Sequence, residues 1–100
     1  MGVYKGELQR WEILVGSDMD LYTVPALKEE IMSSIAETKA DIYLDATNMG
    51  YIDSTGLGVL VSALNRVREY GGKITIKGLK PHIHRIFHLT GLDGAFEMED

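Results

Sequence analysis

Apolar residues fall along this chain in two spacings: tight runs of about five residues, and stripes repeating every three to four positions. Residues 11–15 form such a run, closed by Gly16, and predict a strand. Residues 3–8 ahead of it predict an antiparallel partner. Leu27, Ile31 and Ile35 recur at four-residue steps and give one face of a helix. Thr23 is its expected N-cap, Pro25 suits its first turn, and Glu29 and Glu30 fall early, where the helix dipole favours acids. Residues 41–46 alternate as a half-buried strand does, with Asp45 at the strand's end.

Residues 54–70 carry the strongest helical signal, with Leu57, Leu60, Val61, Leu64 and Val67 as the buried stripe and Gly71-Gly72 as the stop. A short strand follows at residues 73–77. Pro81 opens a third helix with Ile83, Ile86 and Phe87 inward, Gly91 ends it, and residues 95–98 predict an edge strand. Strands alternating with helices predict an α/β fold with parallel crossovers. The expectation is one domain over residues 1–100: a four- to five-stranded mixed sheet with about three packed helices. Such a domain leaves no room for a large enclosed substrate cavity.

Composition narrows the function. The chain has 100 residues, a net charge of −5 and no cysteine, which excludes disulfides and thiolate metal sites. No apolar stretch approaches the roughly 20 residues that span a bilayer, and the mixed, polar N-terminus does not read as a signal peptide, so the cytoplasm is the expected compartment. Net acidity argues against binding a nucleic-acid backbone. The charge is uneven: residues 1–60 hold ten acids and four bases, whereas Arg66, Arg68, Lys73, Lys77, Lys80 and Arg85 face only Glu69. A solvated surface accounts for this most simply, and a partner contact comes second. His84 and His88, four apart, lack an evident third ligand, so no metal or cofactor is expected. Met19, Met49 and Met98 read as gap-fillers or edge contacts, with an adaptable surface near Ser54 as the other use.

The segment Tyr51-Ile52-Asp53-Ser54-Thr55-Gly56-Leu57-Gly58 holds the candidate chemistry. Asp53, Ser54 and Thr55 are all good helix N-caps, so a plain helix start is the simplest reading. It does not account for Gly56 and Gly58, each of which costs up to about 1 kcal/mol in a helix interior. Glycine there points to close approach by a neighbouring element or an incoming molecule, and the helix N-terminus could hold a phosphate. Three enzymatic readings are weaker. An aspartic-protease Asp-Ser/Thr-Gly turn is broken by one extra residue before Gly56. A Ser-His-Asp hydrolase would need a base and a Gly-x-Ser-x-Gly elbow. A phosphate-binding P-loop would need a lysine after the glycines.

Asp53-Ser54-Thr55-Gly56-Leu57-Gly58-Val59 resembles the central motif of the STAS domains, specifically the bacterial anti-sigma-factor antagonists. Asp20-Leu21-Tyr22-Thr23, Leu44-Asp45, Gly71-Gly72-Lys73 and the segment from Ile86 to Leu92 resemble the family's other landmarks, in order. Two departures are a loop one residue longer at Gly16 to Asp20, and an end soon after Met98 where many relatives continue into a further helix. The resemblance implies an anti-sigma factor with serine kinase activity as partner, whose capture releases a sigma factor. It implies phosphorylation of Ser54 by that kinase, loss of binding, and restoration by a serine phosphatase. It places the partner surface at Asp20, Asp53, Ser54, Thr55, Gly56 and Gly58, with no catalytic residues. Other openings are a STAS component of a stressosome-like or lipid-transport assembly, and a small serine-dependent hydrolase.

Overall fold

A computed structural model describes residues 2–100. Its elements run β1 (Val3–Lys5), β2 (Arg10–Leu14), β3 (Asp18–Met19), α1 (Val24–Glu37), β4 (Asp41–Asp45), β5 (Tyr51–Ile52), α2 (Ser54–Arg68), β6 (Ile74–Lys77), α3 (Pro81–Leu89) and β7 (Glu97–Glu99). The main sheet has the order β1-β2-β4-β6-β7, antiparallel only between β1 and β2. This is the expected mixed sheet with three helices. Beyond expectation, β3 and β5 pair in a separate two-stranded parallel ladder, Asp18 opposite Tyr51 and Met19 opposite Ile52.

From β2 the strand order advances in one direction, each step through a helix. Right-handed crossovers then place all three helices on the same face. Trp11, Ile13, Ile42, Leu44, Ile74 and Ile76 line that face and are buried in one core with Ile31, Leu60, Val67 and Phe87. Phe87 meets Phe96 edge-on, ring centroids 5.9 Å apart. Gly71 and Gly91 end their helices with φ of +80° and +74°, a region that glycine enters at little cost.

The opposite face has no helix over it, yet Tyr43 there is only 9% exposed. Residues 42–44 are all buried, so β4 does not alternate in burial as its sequence predicts. Two neighbours cover the ring: Arg10 lies 3.9 Å over its centroid, and Glu99 Oε1 accepts from its hydroxyl at 2.5 Å. Glu12 holds the same guanidinium through Nε at 3.0 Å and Nη2 at 2.7 Å. The Glu99 bond, and then burial, push the Tyr43 phenol up from 10.0 to about 12. Because the folded pKa exceeds the unfolded one, this network's contribution to stability is complete below pH 10 and is lost as pH rises through about 12. Alkaline titration by tyrosinate absorbance should therefore show a late phase, which Tyr43→Phe removes and Glu99→Gln shifts toward 10. A Tyr43 that ionises with the exposed tyrosines would contradict the network.

Three sequence expectations are corrected. Thr23 does not cap α1 with its side chain. Its hydroxyl donates to Asp18 O at 2.8 Å and accepts from Asp20 N at 3.0 Å, while Asp20 Oδ1 takes the N–H groups of Tyr22 and Thr23 at 2.9 and 3.1 Å. The first turn of α1 holds no acid, because the helix starts at Val24 and leaves Glu29 and Glu30 in its second turn. The buried stripe of α2 is Gly56, Val59, Leu60, Ala63, Leu64 and Val67, with Leu57 and Val61 only half-buried. Small residues turn inward where α2 packs against α1, and at Gly56 where Met19 and Ile52 come close.

Candidate functional site

The C-terminal ends of the parallel strands β2 and β4 open into two loops, and the β3–β5 ladder fastens one to the other. Asp53 N donates to Met19 O at 3.1 Å, and Gly50 N to Ser17 O at 2.8 Å. The ladder brings the Asp20 loop beside the Asp53 loop, close enough for the Leu21 N–H to help lower the pKa of the Asp53 carboxyl. Sequence reasoning named both loops and missed the ladder that joins them.

Asp53 is the N-cap of α2. Its Oδ1 accepts from Thr55 N at 2.9 Å, Gly56 N at 3.1 Å and the Thr55 hydroxyl at 2.5 Å. The Thr55 hydroxyl foremost, then the Gly56 N–H, hold the Asp53 carboxyl below its ordinary range. Since the folded pKa is depressed, the cap is fully formed above the usual carboxylate pKa and is lost as pH falls through the lowered value. At neutral pH a full negative charge stands at the start of α2. It already uses the N–H groups that the sequence offered to a phosphate.

Ser54, the first residue of α2, is exposed, and its hydroxyl makes no hydrogen bond among the described residues. Thr55 is exposed too, but its hydroxyl is engaged by Asp53. The two motif glycines differ in kind. Gly56 is buried, and a Cβ there would meet Met19 O at 2.7 Å and Ile52 Cγ1 at 2.8 Å. Close approach of a neighbouring element therefore explains Gly56. Gly58 is exposed with nothing within 4 Å of such a Cβ, so the fold itself does not require it.

Tyr22, 88% exposed, and the exposed Leu21 and Tyr51 stand on these two loops. Met19 and Met49 are fully buried in the core, so neither offers the adaptable surface their sequence position allowed. Behind the site, Asp45 accepts from the hydroxyl and N–H of Thr47, and the hydroxyl bond foremost lowers its pKa. Lys80 Nζ donates to Thr47 O at 2.5 Å, and His82 Nε2 donates to Gly50 O at 2.8 Å. His88 Nδ1 lies 2.8 Å from Asp93 Oδ2, a bond that lowers the Asp93 pKa. Neither of these two histidines is directed at Ser54. Among the described residues no group of three or more His, Cys, Asp or Glu could hold a metal ion, and no helix is long and apolar enough to cross a membrane.

Residues 13–100 match the family model of the STAS domain. The chain is 38% identical over 90 residues to the anti-sigma-B factor antagonist of Staphylococcus aureus, covering 90% of this chain and 83% of that relative. An anti-sigma factor antagonist from Mycobacterium paratuberculosis shares the fold with a TM-score of 0.78 at 24% identity, over 99% of this chain and 84% of that one. The Bacillus cell fate determinant SpoIIAA, solved in its phosphorylated form, shares it with a TM-score of 0.72 at 16% identity, over 91% of this chain and 83% of that one. The chain belongs to the STAS domain family, and its relatives there include the anti-sigma-B factor antagonists.

Proposed function

We propose that this protein is an anti-sigma factor antagonist that binds an anti-sigma factor with serine kinase activity and thereby frees a sigma factor. Phosphorylation of Ser54 by that kinase ends the binding, and a serine phosphatase restores it. The protein acts by binding, without a reaction or cofactor of its own. The observation that carries this reading is the contrast at the start of α2. Ser54 presents an exposed hydroxyl without a hydrogen bond, while the neighbouring Thr55 hydroxyl is held by Asp53.

Asp20, Asp53, Ser54, Thr55 and Gly58 make up the docking surface, with Leu21, Tyr22 and Tyr51 as its apolar part. Gly56 supports that surface from behind by letting β3 approach α2. Asp20 and Asp53 each have one carboxylate oxygen engaged by backbone N–H groups, which holds the acids in place for a basic partner. A phosphate adds about −1.5 to −2 charges at pH 7 beside the Asp53 carboxylate. Its best donors, Thr55 N and Gly56 N, are already used, so the new charge faces the partner.

Incubation with the cognate kinase and Mg-ATP should add one phosphate, located at Ser54 by mass spectrometry. Ser54→Ala should accept none. Transfer to Thr55, or undiminished transfer to the alanine variant, would remove the basis of the proposal.

A further inference from the structure

An open, mainly apolar groove of about 740 Å³ lies between the end of β2, the β3 loop and the first half of α1. Leu14, Ala26 and Leu27 form part of its floor, and Asp18 and Glu29 stand on its rim without an ion pair among the described residues. Among the described residues no lysine, arginine or histidine lines it. At the other end of the sheet, beyond β6, α3 presents the converse. Leu89, 75% exposed, ends the helix one turn after Arg85, an exposed cation also without an ion pair among the described residues. Positions four apart share a helix face, so Leu89 and Arg85 form an apolar knob with a positive flank. α3 itself contains no acid.

Groove and knob match in chemistry, yet α1 follows β2 at one side of the sheet and α3 leads to β7 at the other. One molecule cannot bring them together. We infer that the occupant of the groove is the Leu89–Arg85 knob of a second copy of this chain. The contact is head-to-tail, and each copy keeps a free knob and a free groove, so the association grows open-ended rather than closing as a dimer. The groove adjoins the docking surface proposed around Ser54 through the β3 loop, but Asp20, Asp53 and Ser54 do not line it.

Sedimentation equilibrium across a hundredfold range of protein concentration tests the inference. The mean mass should rise continuously past that of a dimer, and fall back in 1 M NaCl, where the screening length is about 3 Å. Leu89→Asp, Arg85→Glu and Glu29→Arg should each weaken the association by about tenfold or more while leaving circular dichroism unchanged. Mixing Arg85→Glu with Glu29→Arg restores opposite charges at every junction, so the mixture should associate more strongly than either variant alone. A monomer at all concentrations, a plateau at the dimer mass, or association indifferent to all three substitutions would each overturn the inference.

Discussion

Ser54→Asp is expected to bind the partner kinase about a hundredfold more weakly than Ser54→Ala, at nearly equal thermal stability. Alanine removes a hydroxyl that makes no hydrogen bond, and Asp53 supplies the cap of α2, so the fold hardly registers the change. An exposed substitution of this kind usually stays within about 0.5 kcal/mol. Aspartate at the first helical position is favoured by the helix dipole and offset by the neighbouring Asp53 charge, so its net effect on stability is also small. The interface responds differently. A second anion beside Asp53 has its intended donors already occupied, and an uncompensated interfacial charge costs a few kcal/mol. Calorimetric titration of both variants against the kinase, with melting curves alongside, makes the measurement. Equal affinities at equal stability would place Ser54 outside the interface.

The paired substitutions Gly56→Ala and Gly58→Ala should move stability in opposite directions. Both replace a helical glycine, which alone favours the variant by up to about 1 kcal/mol. At Gly58 nothing opposes that gain, because the added methyl meets open space. At Gly56 the methyl meets Met19 O at 2.7 Å and Met19 Cβ at 3.0 Å, in a loop held by backbone hydrogen bonds. Overpacking of this kind typically costs about 1–3 kcal/mol and should outweigh the propensity gain. Gly58→Ala should therefore melt higher yet bind the kinase more weakly if the partner approaches the bare backbone there. Gly56→Ala should melt lower and loosen the β3–β5 ladder. Denaturant unfolding of both variants decides between these signs, and a stabilised Gly56→Ala would refute the close approach.

Most of the architecture could be read from the sequence because its signals are long: the α2 stripe, the paired glycines after it, and the strand–helix alternation. The errors fall where one short-range effect competes with another. Thr23 has the form of an N-cap, but its hydroxyl turns back to Asp18 O and Asp20 N instead of into the helix. Val59 and Ala63 face inward on α2 although larger residues dominate the expected stripe, because helix packing selects for small size as well as polarity, and Gly56 does so because Met19 of β3 comes close to it. Tyr43 is buried on an uncovered face by Arg10 and Glu99, the one from β2 and the other from β7. The pairing of β3 with β5 involves two residues on each side, too few to leave a periodic trace. At the candidate site the motif residues were legible one by one. Their division of labour was not, since it depends on which oxygen holds which hydrogen.

That small ladder also sets a clock. Backbone openings in a protein range from nearly free to as costly as global unfolding, and a two-rung ladder at the edge belongs near the cheap end. The amide of Asp53, held by Met19 O, should exchange with solvent sooner than that of Ile42, which bonds Lys73 O within the main sheet. Hydrogen exchange should accordingly find the loop carrying Ser54 opening more readily than the sheet beneath it. A partner that needs the hydroxyl drawn outward can draw on that opening, without unfolding any of the core.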